Sequence, residues 1–132
     1  MLTVPQYMEA LMDPERLDDL ERKFQKELNA GTVGLLLLAT LAQATEPRYG
    51  YDIAKELEER APITKLGALY PALRSLESYG LLDSRVEPSV TGPPRKYYRI
   101  TKDGRKALTA WAQQWKQTSQ CVNAMLKGVN HV

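Results

Sequence analysis

The side chains with the clearest chemical potential in this sequence are basic, and they are concentrated in one part of the chain. Residues 60–106 contain ten Lys and Arg against four Asp and Glu, whereas residues 1–59 contain six against twelve. The net charge of the 132-residue chain is only +2, so the asymmetry is more informative than the total. A local excess of positive charge favours a polyanionic partner, although a solvated basic surface would explain the charge equally well.

Residues that could support catalysis or hold a metal are scarce. The one histidine, His131, lies beside the C-terminus, and the one cysteine, Cys121, lies in a helical pattern. A zinc site or a Cys/His nucleophile needs several such groups together. The sequence also contains no P-loop and no Gly-x-Gly-x-x-Gly fingerprint. We therefore expect neither an enzyme nor a metal site, and no cofactor.

Length and hydropathy predict a protein that folds on its own in a reducing compartment. A chain of 132 residues with 43% hydrophobic positions can bury a core without disulfides. The segment Met1–Gln6 has no basic residue and no apolar run typical of a signal peptide. The most apolar run, Val33–Leu41, is about half of the ~20 residues that span a bilayer. We expect a cytoplasmic protein with no membrane partner.

The first third of the chain predicts two helices. Asp13-Pro14-Glu15 has the acceptor, the proline and the acid typical of a helix start, and apolar residues at spacings of three and four continue the pattern to about Asn29. Thr32 can then cap a second helix, Val33–Ala44. Because its leucine run leaves no polar face, this second helix is expected inside the domain.

Two more helices and a hairpin follow. We expect a helix at Gly50–Glu59 and another at Thr64–Tyr79, closed by Gly80 in a left-handed conformation. Alternating residues then predict two strands, Leu82–Glu87 and Lys96–Ile100, joined by a loop rich in turn residues. A last helix is capped by Thr101 and extends as far as Leu126.

Three helices followed by a basic hairpin are the order of a winged helix-turn-helix. The predicted fold is therefore α+β and mostly α, with an extra N-terminal helix (residues 1–31), a winged-helix DNA-binding domain (32–100) and a C-terminal dimerisation helix and tail (101–132). Thr64–Tyr79 is the expected recognition helix, with Leu66, Leu69, Leu73 and Leu76 buried. Its other face presents Lys65, Gly67, Ala68, Tyr70, Pro71, Arg74 and Ser78. Lys65 and Arg74 can reach phosphates or guanine edges, and Arg95 and Lys96 in the hairpin, or wing, can grip the backbone.

Several segments in order resemble the PadR family of bacterial transcriptional regulators, over roughly residues 32–116. They are Tyr49-Gly50-Tyr51-Asp52-Ile53, Gly67-Ala68-Leu69-Tyr70-Pro71-Ala72-Leu73, Leu76-Glu77, Gly80-Leu81-Leu82, Arg95-Lys96-Tyr97-Tyr98-Arg99-Ile100-Thr101, and Gly104. The resemblance implies a dimeric winged-helix repressor that binds near-palindromic operators in double-stranded DNA. By position, it implies DNA contacts at Tyr51, Thr64, Lys65, Gly67, Ala68, Tyr70, Arg95 and Lys96. Family members often have Thr at the position of Ala68, so this chain lacks a hydroxyl group there.

The apolar stripe of the last helix supports a homodimer independently. Its members are Leu108, Trp111, Trp115, Val122 and Met125. No later element of the chain can cover both tryptophans, so a second subunit is the natural cover, and the N-terminal helix could join through Leu17, Leu20 and Phe24. The alternative is that the tryptophans fold back onto their own domain.

The resemblance also suggests a small aromatic effector. Some short family members hold flat ligands between paired tryptophans at the dimer centre, and Trp115, eleven residues after Gly104, has the corresponding position. Stacking on an indole is chemically reasonable, although a Trp at this helical spacing is more often a packing residue.

The sequence as a whole predicts a DNA-binding transcriptional regulator, a repressor. The alternative is a winged-helix interaction module that docks a partner protein in place of an operator.

Overall fold

The computed structural model of the chain describes residues 13–61 and 66–129. Within these ranges four helices and three strands follow one another. They are α1 (Pro14–Ala42), β1 (Arg48–Tyr49), α2 (Gly50–Arg60), α3 (Leu66–Ser78), β2 (Leu82–Glu87), β3 (Arg95–Ile100) and α4 (Lys102–Lys127). The predicted fold class, a mostly α winged helix, is confirmed.

The first helix is one continuous element where the sequence predicted two. Its start is as expected, because Asp13 Oδ1 accepts a hydrogen bond from the Glu15 N–H at 3.1 Å. The predicted break before Val33 is wrong. The Thr32 hydroxyl does not cap a new helix but donates to the Leu28 carbonyl of the preceding turn at 2.8 Å, which a continuous helix permits. The described residues divide into two compact units, with the boundary between Thr32 and Val33 inside this helix.

The hydrophobic core of the second unit combines three helices with the sheet. Leu37 and Leu38 have no exposed surface, so the expected burial of the leucine run is confirmed. The remaining buried apolar residues are Leu41, Ile53, Ala54, Leu57, Leu69, Leu73, Leu76, Leu82, Tyr98 and Ile100. Each fully buried leucine contributes about 1.5–3 kcal/mol of transfer free energy, so this set holds the helices on the sheet.

The sheet has three antiparallel strands in the order β1-β3-β2, one more than the hairpin that the sequence predicted. Arg48 and Tyr49 of β1 pair with Tyr98 and Tyr97. The β2 and β3 strands pair from Leu82 with Ile100 to Glu87 with Arg95. Because side chains alternate along a strand, the register puts Leu82, Ser84, Lys96, Tyr98 and Ile100 on one face and Asp83, Arg85, Arg95, Tyr97 and Arg99 on the other. The two strands and residues 88–94 between them are the wing.

The turn after α3 joins this helix to both the wing and α4. Gly80 has φ 77°, its N–H donates to the Glu77 carbonyl at 2.9 Å, and the Leu81 N–H donates to the Leu76 carbonyl at 2.9 Å. The predicted glycine cap is therefore confirmed. Thr101 caps α4 by accepting from the Gly104 N–H at 2.9 Å, and its own hydroxyl donates to the Gly80 carbonyl at 2.7 Å.

The last helix packs its first half on the core. Leu108 and Trp111 are half-buried against it, and the Trp111 ring lies 3.3 Å from where a Cβ on Gly34 would stand. Beyond Trp111 the apolar stripe is exposed. Among the helices of the described ranges, none is both long enough and apolar enough to cross a membrane.

Candidate nucleic-acid interface

The helix α3 separates a buried leucine stripe from an exposed face, as a recognition helix requires. Leu69, Leu73 and Leu76 are buried. On the other side the exposed positions are Gly67, Ala68, Pro71, Arg74 and Ser78, with Tyr70 half-buried. The predicted contacts Thr64 and Lys65, and the side chain of Leu66, lie outside the described residues.

Pro71 lies inside α3, the sixth residue of the helix. Proline has no N–H to donate to the Gly67 carbonyl, one turn earlier, so that carbonyl has no helical partner from this position. Gly67 is exposed, which lets solvent or a ligand donor satisfy the carbonyl oxygen. The missing hydrogen bond therefore lies in the first turn of α3.

A cluster of tyrosines connects α2, the sheet and α3. The ring centroid of Tyr49 lies 6.1 Å from that of Tyr51 and 5.9 Å from that of Tyr97. The pKa of the Tyr70 hydroxyl is raised, chiefly by burial and then by Tyr49, Tyr51 and Tyr98. Tyr70 therefore keeps its proton at neutral pH and can donate a hydrogen bond, for example to a phosphate oxygen.

Arg95 of the wing lies over this cluster. Its guanidinium carbon is 4.9 Å from the centroid of the Tyr49 ring. A cation–π contact at an exposed site is worth about 0.5–1 kcal/mol, enough to bias the position of the side chain without neutralising its charge. Neither Arg95 nor Arg74 forms an ion pair with another described residue. Both charges are therefore available to a ligand.

Lys96, the neighbour of Arg95, is held by α3. Its Nζ donates to Glu77 Oε1 at 2.8 Å and lies 5.1 Å from the centroid of the Tyr98 ring. The hydrogen bonds from Lys96 and Ser84 hold the pKa of the Glu77 carboxyl below its ordinary value, and the bond to Glu77 raises the pKa of Lys96. The sequence analysis selected Lys96 as a DNA contact but did not predict its ion pair with Glu77.

Two other arginines on the sheet face that carries Arg95 are neutralised by neighbouring acids. Arg99 makes a bidentate contact with Asp83, with N···O distances of 2.9–3.3 Å, and this contact lowers the pKa of the Asp83 carboxyl. Arg85 pairs with Glu87 at 3.0 Å. These pairs border a shallow depression of about 300 Å³. Arg85 and Arg99 thus add little free positive charge to this face of the sheet beyond that of Arg95.

The residues predicted for a dimer interface are largely exposed in the single chain. Leu17, Leu20 and Phe24 of the first unit are exposed, Phe24 by 61%. In the second unit Trp115 is 49% exposed, as is Val122, and Met125 is 74% exposed. Leu108 and Trp111 pack on the core instead. The structure thus separates the two tryptophans, one against its own domain and one toward solvent.

Groups for covalent or metal chemistry are sparse in the part of the chain that the structure describes. Cys121 is a free, exposed thiol. Within residues 13–61 and 66–129, no three His, Cys, Asp or Glu side chains are grouped so that they could hold a metal ion. The arrangement described above offers binding groups instead, namely two arginines, several phenols and exposed backbone near Gly67.

Two solved structures with a similar fold are transcriptional regulators. A PadR family transcriptional regulator from Eggerthella lenta is 36% identical with a TM-score of 0.69, and the alignment covers 83% of this chain and 95% of that one. A PadR-like transcriptional regulator from Bacillus cereus is 30% identical with a TM-score of 0.65, covering 78% of this chain and 99% of that one.

The sequence comparisons agree with the structural ones. A transcriptional regulator of Mycobacterium tuberculosis is 34% identical over 83 residues, which are 63% of this chain and 74% of that protein. Residues 37–110 match the transcriptional regulator PadR-like family, and this range is more than half of the chain. It contains α2, α3, the sheet and the first turns of α4, the elements that build the tyrosine cluster and its arginines. The chain therefore belongs to the PadR-like family of transcriptional regulators.

Proposed function

We propose that this regulator is a cytoplasmic, homodimeric repressor that binds a near-palindromic operator in double-stranded DNA. In this proposal residues 32–100 bind DNA and residues 101–132 form the dimer interface. Residues 1–31 add further contacts to that interface. The observation that carries the proposal is the tyrosine cluster, because Tyr49 of the sheet contacts Tyr51 of α2 and lies beneath Arg95, a cation with no ion-pair partner among the described residues.

The groups on this surface suit the two parts of DNA recognition. Tyr51 and Tyr70 can donate to phosphate oxygens, and Arg95 can neutralise a phosphate. Arg74, on the exposed face of α3, is long enough to reach the O6 and N7 acceptors of a guanine. Gly67 and Ala68 allow the helix backbone to approach the groove because their side chains are absent or small.

A two-fold dimer would give this surface its operator geometry. The exposed stripe of α4 has the apolar area that a second subunit can cover, and Leu17, Leu20 and Phe24 offer further area. In helix-turn-helix dimers the two recognition helices enter the major groove about one DNA turn, roughly 34 Å, apart. An operator with matching half-sites at that spacing follows from this arrangement.

A planar aromatic effector that stacks on Trp115 is a subsidiary proposal. The indole is half exposed in the single chain and would lie at the proposed dimer interface, where it could either pack or bind. Titration of tryptophan fluorescence with a panel of planar aromatics tests this, with Trp115→Phe as the control that leaves Trp111 as the reporter. Quenching that disappears in this variant supports an effector, and the absence of quenching at high concentration contradicts it.

The central experiment is selection of bound DNA from a random pool, followed by mobility shifts at several salt concentrations. A repressor of this kind should select a near-palindrome and lose affinity steeply with salt, with a slope of about −0.9 per neutralised phosphate. Arg74→Gln should relax the selected sequence, whereas Lys127→Gln, the same charge change in the last turn of α4, should not. Weak binding without sequence preference would refute the proposal and favour a module that docks a partner protein.

A further inference from the structure

One carboxylate connects the recognition helix to both strands of the wing. Glu77, the penultimate residue of α3, accepts from Lys96 Nζ of β3 through Oε1 at 2.8 Å. Its second oxygen, Oε2, accepts from the Ser84 hydroxyl of β2. The turn at Gly80 already connects α3 to β2 along the backbone. The contact that the carboxylate adds is therefore the side-chain connection from α3 to β3.

The ammonium of Lys96 is enclosed on a second side by the buried Tyr98. Its Nζ lies 5.1 Å from the centroid of that ring. The ring is itself fixed, since its edge lies 3.2 Å from where a Cβ on Gly50 would stand, so the start of α2 is packed directly against it. Movement of Lys96 toward a DNA phosphate would break its ion pair and leave the Glu77 carboxylate unpaired beside a polyanion, which is electrostatically unfavourable.

Arg95 and Lys96 are adjacent in the sequence but differ in their surroundings. Strand alternation sends Arg95 to the opposite face, where its side chain is exposed and no described acid forms an ion pair with it. Lys96 is half-buried and neutralised. A shared role for the two residues at the DNA backbone, as the sequence suggested, is therefore difficult to reconcile with the geometry.

We propose that Glu77 is a positioning residue for DNA binding, which fixes the wing on the recognition helix and withholds Lys96 from the phosphates. Arg95 is then the cation with which this part of the wing contacts the DNA backbone. The inference rests on the proposed DNA-binding function and assigns to Glu77 and Lys96 a role that differs from direct contact.

The test compares the salt dependence of operator binding in three variants with that of the wild type. Glu77→Gln keeps the size of the side chain but removes its charge, so Lys96 loses the ion pair that holds it on α3. Glu77→Gln/Lys96→Met removes both charges and leaves the net charge unchanged. Arg95→Met is the matched control on the neighbouring residue. Circular dichroism and thermal unfolding of each variant establish that it is folded.

Each variant has a distinct expected slope. Arg95→Met should reduce the magnitude of the slope of log K against log salt by about one per protomer, or about two per dimer, because a phosphate contact is lost. Glu77→Gln should increase the magnitude by a similar amount, because the released Lys96 gains access to phosphates. The double variant should return to the wild-type slope. The double variant loses the connection to the wing without gaining a phosphate contact, so it should bind the operator about three- to tenfold more weakly than the wild type, the loss expected for one partly exposed hydrogen bond to a charged group.

Three results would overturn the inference. If the double variant loses slope as Arg95→Met does, Lys96 contacts a phosphate directly. If Glu77→Gln leaves the slope unchanged, or if the double variant binds the operator as tightly as the wild type, Glu77 does not position the wing. A wild-type protein that binds no operator refutes the proposed function itself, and this result is visible before any variant is compared.

Discussion

Replacement of Gly104 by alanine is expected to destabilise the protein, although alanine is the better helix former. Gly104 lies in the first turn of α4, and its N–H donates to the Thr101 hydroxyl. A Cβ at this position would lie 2.1 Å from the Leu81 carbonyl oxygen and 2.6 Å from Ile100 Cγ1. Since the nearer atom belongs to the backbone, a side-chain rotation cannot remove the clash, and α4 must move away from the turn that follows α3.

The size of the effect follows from three contributions. Overpacking of this kind costs about 1–3 kcal/mol. The shift would also strain the hydrogen bond from the Thr101 N–H to the Leu81 carbonyl, now 3.1 Å, which is worth about 1 kcal/mol. The better helix propensity of alanine stabilises the variant by about 1 kcal/mol, which offsets the strained hydrogen bond. We expect a net loss of about 1–3 kcal/mol in the free energy of unfolding.

Gly31 provides the matched control, because it lies inside α1 and a Cβ there would meet nothing within 4 Å. Gly31→Ala should therefore stabilise the protein by about 0.5–1 kcal/mol. Urea unfolding followed by circular dichroism measures both variants, at a fixed protein concentration because subunit association would shift the midpoint. A Gly104→Ala midpoint at or above that of the wild type would show that the first turn of α4 accommodates a methyl group and that the packing argument is wrong.

Three further predictions concern the ion pair, the dimer and base recognition. Because Lys96 and Ser84 lower the pKa of the folded Glu77 carboxyl, its contribution to stability is present above the ordinary carboxyl pKa and is lost as pH falls through the folded value. Glu77→Gln should consequently flatten the decline of the urea midpoint on the acid side, and an unchanged decline would contradict this. Trp115→Lys should shift the protein from dimer to monomer in sedimentation velocity, and an unchanged sedimentation coefficient would assign the interface elsewhere. Arg74→Gln should reduce discrimination at its base pair by about 1–3 kcal/mol, whereas uniformly weaker binding to all sequences would assign Arg74 to a phosphate.

The continuity of α1 could not be predicted because the local signals at Thr32 are ambiguous. A threonine hydroxyl can cap a helix or donate to the carbonyl four residues back, and either choice satisfies it. The structure shows the second choice, with Leu28 as the acceptor. Ala30 favours helix and Gly31 only weakens it, so nothing between Asn29 and Val33 ends the helix.

The strand β1 could not be predicted from the sequence pattern either. Its two residues, Arg48 and Tyr49, are too few to express an alternation of period two. They form a strand because the chain folds them beside Tyr97 and Tyr98, about 49 residues later. The longer elements α2, α3, β2, β3 and α4 have enough residues to express their period, which explains why their positions followed from the sequence.

The organisation of the candidate interface was only partly predictable, for a related reason. The exposed face of α3 follows from its leucine period, and Arg74 belongs to that face. The pairing of Lys96 with Glu77 joins residues 19 positions apart and depends on how the wing docks on α3. One signal was present nevertheless. Adjacent residues of a strand point to opposite faces, so the different surroundings of Arg95 and Lys96 could have been expected from the strand pattern.

The apolar stripe of α4 shows where the sequence stops being informative about assembly. Trp111 and Trp115 are one helical turn apart and continue the same pattern, so periodicity treats them alike. In the structure Trp111 packs on the core beside Gly34, whereas Trp115 is half exposed, together with Val122 and Met125. The subunit core therefore ends between the two tryptophans. A dimer formed on the exposed part of the stripe would cover residues that the subunit does not need for its own core, so association could strengthen or weaken without unfolding the proposed DNA-binding domain.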